Sequence, residues 1–158
     1  MPKITPFLWF DTQAEQAADF YISVFPQSQK GRVTYYNHAF PDRDGTVMTV
    51  HFQLFGQEFT ALNGGPGFAF TPSISLFVHC ESQQEVDRVW DKLTEGGKPG
   101  RCGWLEDKFG VTWQVVPNEL FTLLANKDPA KAQRVTESML TMQKLDVNVL
   151  KQAAEQAD

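Results

Sequence analysis

Apolar and polar positions along the chain fall into two copies of one pattern. Residues 4–10 form an apolar, aromatic run, Ile4-Thr5-Pro6-Phe7-Leu8-Trp9-Phe10, of the kind a mostly buried strand presents. Thr12 follows, with Glu15 three residues on as its reciprocal capping partner, and predicts a helix start. Ala17, Phe20, Tyr21 and Val24 then recur at i, i+3, i+4 and i+7, the single stripe of a helix buried on one side. Roughly 70 residues later the unit returns. Residues 72–78 read as its strand, Ser82 and Glu85 as its capping box, and Val86, Val89, Trp90 and Leu93 as its stripe. Pro2, Ile4, Phe7 and the Thr12/Glu15 pair match Pro72, Ile74, Phe77 and the Ser82/Glu85 pair at one offset. The stripes match at an offset one residue shorter, so the register slips near the first helical turn. A repeat this long predicts duplication of a structural module; solenoid periods are shorter.

Residues 26–30 read as polar and turn-like, and residues 32–40 as a strand. Asp44-Gly45 supplies the positive φ that a hairpin needs. Residues 46–55 alternate most clearly, with Met48, Val50, Phe52 and Leu54 on one face and Thr49, His51 and Gln53 on the other. The pattern leaves two readings of the polar face: solvent, or the lining of a cavity. Gly56-Gln57 closes a hairpin into residues 58–62, and Asn63-Gly64-Gly65-Pro66-Gly67 is a loop ending the first half. In the second half, residues 98–103 read as loop or edge strand and residues 104–106 as a short strand. Asp107-Lys108-Phe109-Gly110 is a turn shaped by its acid and its glycine, and residues 111–116 are a β-branched run that Pro117 terminates. Each half therefore reads β-α-β-β-β. The remaining piece is helical. Leu120, Leu123 and Leu124 form an apolar patch, Asp128-Pro129 opens a helix with proline at its first position, and Val135, Met139, Met142, Leu145 and Val149 continue a rough stripe. Residues 151–158 are polar and are expected to fray.

At 158 residues this pattern fits one domain made of two similar halves, about 3–64 and 72–117, with a helical extension over 118–158. With 42% hydrophobic and 21% charged residues the chain is not of the disordered class. Thirteen Phe and four Trp build a core or line an apolar pocket. A net charge of -5 argues against general nucleic-acid binding, which needs clustered Lys and Arg. No apolar run approaches the roughly 20 residues that span a bilayer. Met1-Pro2-Lys3-Ile4 lacks the apolar region of a signal peptide, and two cysteines are too few for a disulfide scaffold. A cytoplasmic location, with no membrane or nucleic-acid partner, is the expectation.

Two βαβββ modules in tandem resemble the vicinal-oxygen-chelate superfold, the glyoxalase and bleomycin-resistance fold. Four strings are similar to its PhnB-like branch: Phe7-Leu8-Trp9-Phe10-Asp11, Phe20-Tyr21, Ala61-Leu62-Asn63-Gly64-Gly65-Pro66 and Asp107-Lys108-Phe109-Gly110-Val111-Thr112-Trp113-Gln114. Proteins of that branch commonly carry the name 3-demethylubiquinone-9 3-methyltransferase. The resemblance covers roughly residues 3–117. It implies an α+β fold of curved sheets around a cavity, with Thr49, His51 and Gln53 facing that cavity and Met48, Val50, Phe52 and Leu54 facing the helix. It also implies a homodimer.

Metal-dependent members of the superfold carry His, Glu or Gln on the first and last strands of each module, and a transition metal needs at least three such ligands. Here the first strand offers Thr5, Phe7 and Trp9, its repeat offers Ser73, Ser75 and Phe77, the fourth strand ends in Ala61-Leu62-Asn63, and only Gln114 matches. No metal or other cofactor is expected. Methyltransferases usually hold their cofactor at a glycine-rich turn between a parallel strand and a helix, whereas Gly64-Gly65-Pro66-Gly67 joins the two modules. The name is therefore not taken as chemistry. Trp9, Thr49, Gln53, Asn63, Ser75, Phe77 and Gln114 are the expected contacts of an unidentified small organic molecule, flat or cationic, in an aromatic-lined cavity. His51 is the candidate general base if the same cavity belongs to a lyase, isomerase or dioxygenase-type enzyme, because imidazole titrates near neutrality. An inert, side-chain-filled cavity is the third reading. His38 and His79 are expected near strand ends, Cys80 as a buried or strand-end thiol, and Cys102 in a glycine-flanked loop.

Overall fold

The first repeat folds as β1 (Phe7–Phe10), α1 (Ala14–Val24), β2 (Ser28–Tyr35), β3 (Val47–Leu54) and β4 (Gln57–Asn63). Its sheet has the order β1-β4-β3-β2, with β1 parallel to β4 and the other neighbours antiparallel. The structure, a computed structural model, describes residues 1–156 and divides into two units, Met1–Phe70 and Thr71–Asp158. In the first unit the alternation of β3 does what a pleated strand must. Val50, Phe52 and Leu54 are buried beside Leu8, Phe10, Phe59 and Ala61, and α1 buries Ala14, Ala17, Ala18, Tyr21 and Val24. Small alanines let the helix lie close to the sheet, and the Tyr21 and Phe52 rings sit 6.2 Å apart. Full burial of each large apolar side chain contributes roughly 1.5–3 kcal/mol. The β3–β4 connection is the two-residue loop Phe55-Gly56, both at positive φ (52° and 80°), whose twist suits a hairpin.

In this repeat three elements are bounded differently from the sequence reading. Residues 4–6 lie outside β1, with Ile4 93% exposed, so that run is apolar without being buried. Strand β2 starts at Ser28, because residues 28–30 pair with Leu54, Gln53 and Phe52, and it stops at Tyr35. Residues 36–46 then make successive turns, closed where Gly45 (φ 81°) donates its N–H to the Tyr36 carbonyl. Thr12 does not cap α1. The N-cap is Gln13, without a side-chain bond; the Ala14 N–H donates instead to Asn63 Oδ1 at 2.8 Å, and Glu15 pairs with Lys30.

The second repeat folds as β5 (Leu76–Cys80), α2 (Gln83–Thr94), β6 (Lys98–Pro99), β7 (Trp104–Glu106) and β8 (Thr112–Pro117), in the matching order β5-β8-β7-β6. Buried Val78 and Cys80 repeat Leu8 and Phe10, and Val86, Trp90 and Leu93 repeat Ala17, Tyr21 and Val24 one residue early, as the slipped offset requires. Ser82 caps α2 locally, accepting the Glu85 N–H at 3.1 Å. As in the first repeat, the strand starts late: Ile74 is 78% exposed and β5 begins at Leu76. Asp107 organises the turn into β8. Buried to 2%, it accepts the Phe109 and Val111 N–H groups on Oδ1 and the Trp113 indole N–H on Oδ2, while Gly110 takes a φ of 90°.

Three helices follow, α3 (Asn118–Leu124), α4 (Pro129–Met139) and α5 (Val147–Glu155). Asp128 caps α4, accepting the Ala130 N–H, with Pro129 at its first position. Val116 of β8 joins Leu120, Val135, Leu145, Leu150 and Ala154 in one apolar cluster. Gln83 at the start of α2 holds this piece with both ends of its amide, donating to the Leu145 carbonyl at 2.9 Å and accepting the Val147 N–H at 2.8 Å. The expected stripe breaks at Val149, which is exposed while Leu150 is buried, because Asp146 restarts the helical phase as the cap of α5. Residues 151–155 are helical and bury Ala153 and Ala154, so the expected fraying does not hold there; residues 157 and 158 lie outside the described ones. Among the described residues no helix is long and apolar enough to cross a membrane.

Candidate functional site

The face of the first sheet opposite α1 carries a mixed polar and aromatic surface, set by strand register. Phe7 pairs with Thr60, which pairs with His51, and Trp9 pairs with Leu62, which pairs with Thr49. Because side chains alternate, Phe7, Trp9, Thr60, Leu62, Thr49, His51 and Gln53 share one face. Over part of it lies an open groove of about 500 Å³ whose lining includes Thr5, Phe7, Arg32, His51, Gln53 and Thr60.

His51 is the chemically richest residue there. Its Nδ1 lies 2.9 Å from the Thr60 hydroxyl, and its ring is partly exposed. When Nδ1 donates to Thr60, Nε2 holds a free lone pair; when Thr60 donates, Nε2 carries the proton. Thr49 is buried and hydrogen-bonded to the Thr34 hydroxyl, and Gln53 is exposed. Phe7 keeps 61% of its surface exposed, and sequence reasoning considered it only as a non-ligand. Lys3, Gln29, Arg32, Glu58 and Thr60 also line the groove and were not singled out. No local pattern marks them. They meet His51 and Gln53 only through cross-strand pairing.

Trp9 and Asn63 are held mainly by the segment after β4. The Trp9 indole N–H donates to the Gly65 carbonyl at 2.9 Å, and its ring meets Phe68 edge-on at 5.0 Å. Gly64 lies so close to that ring that a Cβ there would stand 2.3 Å from it. Asn63 holds the Ala14 N–H on Oδ1, donates Nδ2 to the Val47 carbonyl at 3.1 Å, and accepts the Tyr36 hydroxyl on its backbone oxygen. A second hollow of about 560 Å³ includes Asn63, Tyr36, Arg43 and Asp11 in its lining. The Gly64-Gly65 step thus packs on Trp9 as the chain leaves β4.

In the second unit, Gln114 Nε2 donates to the Ser75 hydroxyl at 2.9 Å, and Gln114 pairs in register with Phe77. The Phe77 ring lies 4.7 Å from His79 and 6.0 Å from Phe121 of α3, so these three rings gather beside the Ser75–Gln114 pair. Phe121 is a contact that sequence reasoning missed. His38 is exposed at the hairpin and pairs with Asp44. Cys80 is buried, and desolvation pushes its thiol up to about 12.

The donor set does not fit a divalent metal. The strand positions that would supply ligands hold Phe7, Trp9, Phe77 and Gln114, and among the described residues no three His, Cys, Asp or Glu side chains gather.

Two βαβββ units of one strand order, each with a helix on one sheet face, define a glyoxalase-like α+β protein. The 3-demethylubiquinone-9 3-methyltransferase family pattern matches residues 2–116, and the chain belongs to that family. A PhnB protein from Bacillus cereus is 39% identical over 73% of this chain and 99% of its own, with a TM-score of 0.67. A Pseudomonas aeruginosa protein shares the fold at 19% identity, covering 74% of this chain and 98% of its own, with a TM-score of 0.61. A glyoxylase/bleomycin resistance protein/dioxygenase domain from Frankia aligns with 74% of this chain and 92% of its own at 11% identity and a TM-score of 0.45. Among curated proteins none matches.

Proposed function

We propose that this protein binds a small, flat organic molecule on the polar and aromatic face of its first sheet, without a metal. One observation carries the reading. Phe7 stays largely exposed on the sheet row that holds the Thr60–His51 pair, in an open groove of about 500 Å³. A ring left in water beside hydrogen-bonding groups suits a guest with a flat apolar body and a polar edge. The protein acts as a homodimer in the cytoplasm, and neither nucleic acid nor membrane is its partner.

Thermal denaturation of the full chain against a panel of flat aromatic compounds tests this. A true guest at 100-fold its dissociation constant adds about 2.7 kcal/mol, which is several degrees in Tm. Failure of every flat compound to raise the Tm overturns the reading. Sedimentation at micromolar concentration is expected to give a dimer; monomer alone contradicts that part.

His51 favours a second reading, a lyase, isomerase or dioxygenase-type enzyme using the same groove. With Nδ1 donating to Thr60, Nε2 is a base in place. His51→Gln then abolishes turnover of a bound compound while the compound still binds. Equal turnover in the variant rules this out.

A further inference from the structure

We infer that the groove over His51 selects a guest bearing a carboxylate, with Arg32 as its partner. This rests on the binding role proposed for that groove and names the chemistry of its guest. Along the β2–β3 ladder, Lys30 pairs with Phe52 and Val33 with Val50. Two residues of β2, Gly31 and Arg32, therefore stand opposite the single residue His51, which is a β-bulge. The bulge draws the backbone tight onto His51. A Cβ on Gly31 would lie 3.2 Å from the His51 carbonyl oxygen and 3.4 Å from its Cβ. Bulges re-aim the side chains beside them, and here Arg32 lines the groove together with His51.

Arg32 differs from Lys3 and Lys30, the other cations of that lining. Lys3 pairs with Glu58, and Lys30 pairs with Glu15 and Asp19 of α1, each at 3.2 Å. Among the described residues the Arg32 guanidinium has no ion-pair partner, in a chain whose net charge is -5. A guanidinium fork matches a carboxylate with two parallel hydrogen bonds. The row Phe7–Thr60–His51–bulge crosses four strands, roughly 14 Å at the usual strand spacing. With Phe7 reaching in from one end and Arg32 from the other, the span between suits one or two fused rings. The guest is an aromatic carboxylate, its ring against Phe7 and its carboxylate on Arg32, with His51 Nε2 beside the ring edge.

Calorimetric titration of the full chain with 2-naphthoate and its neutral isostere 2-naphthamide tests this, with the His51 ring signals followed by NMR. The carboxylate is expected to bind about tenfold more tightly, the return of one charge-assisted pair. Arg32→Gln collapses that ratio to about one, and Arg32→Lys, which keeps the charge and loses the fork, restores part of it. Equal affinity for the two compounds in the unaltered protein, or a preference that survives Arg32→Gln, overturns the carboxylate assignment and leaves the groove a binding site. If neither compound binds or moves the His51 signals, the groove reading falls with it. An arginine that only shields the edge of strand β2 leaves the ratio at one throughout.

Discussion

Asp107 shows how much one side chain holds. Its two oxygens accept three N–H groups, two from the turn backbone and one from the Trp113 indole, inside a buried site. Asp107→Ala leaves those donors unmet, and a charged acceptor's bonds are each worth about 1.5–3 kcal/mol. Urea denaturation is expected to show a loss of about 3 kcal/mol or more; a loss under about 1 kcal/mol contradicts this account. Cys80 gives a second residue-scale expectation. Its thiol is raised by burial to about 12, so iodoacetamide at neutral pH leaves it unmodified in the native protein and labels it only after denaturation, as peptide mass spectrometry reads. The sign of its effect on stability follows. The unfolded thiol ionises first, near its ordinary value of 9.0, so the contribution from Cys80 is intact below that pH and falls as pH rises toward about 12. The role of Asp107 was legible from the string, since an acid and a glycine before a β-branched run make a turn. Its bond to Trp113 was not, because that depends on which way β8 presents its side chains.

At the scale of elements, the two repeat helices begin differently although their sequences look alike. Ser82 accepts a donor three residues on, within its own segment, whereas the first turn of α1 is met by Asn63 at the end of β4. Ser82→Ala therefore costs about 1 kcal/mol, the usual worth of a cap. Asn63→Ala costs more, about 2 kcal/mol or above, because the Val47 carbonyl also loses its donor. Equal losses in chemical denaturation contradict this asymmetry. The helices themselves could be read from the chain because their stripes are periodic. The Thr12 cap misled because a capping box is a local pattern, and a tertiary partner took its place. The C-terminal helices are fastened by Gln83 as well as by their apolar cluster. Asp87, whose carboxyl is lowered by its bond from Gln83 and by Lys144, belongs to the same fastening. Gln83→Ala is expected to speed limited proteolysis in residues 140–147 severalfold without altering the far-ultraviolet circular dichroism; unchanged cleavage denies Gln83 that role.

For the whole molecule, duplication was readable because two periods and their one-residue slip survive in the apolar positions, and the same strand order appears in both units. The groove was only half readable. His51 and Gln53 lie on a strand that alternates openly, so their face could be named. Arg32 enters that face through a bulge, an extra residue that only the β2–β3 register reveals. The family match stops at residue 116, so α3–α5 lie beyond what the family pattern describes. They nonetheless bring Phe121 to Phe77 and His79.

The reach of Asn63 back to Ala14 has a further consequence for how the polypeptide comes off the ribosome. Helix α2 finds its cap within three residues of its own start, so the partner for its first turn is at hand as soon as that short stretch has emerged. Helix α1 waits for a partner 49 residues downstream. Until β4 has been synthesised and docked, its leading amide has only water to bond. The earlier-made half is thus the one whose helix start is completed only together with its sheet, while the later-made half carries the helix whose cap needs nothing further downstream.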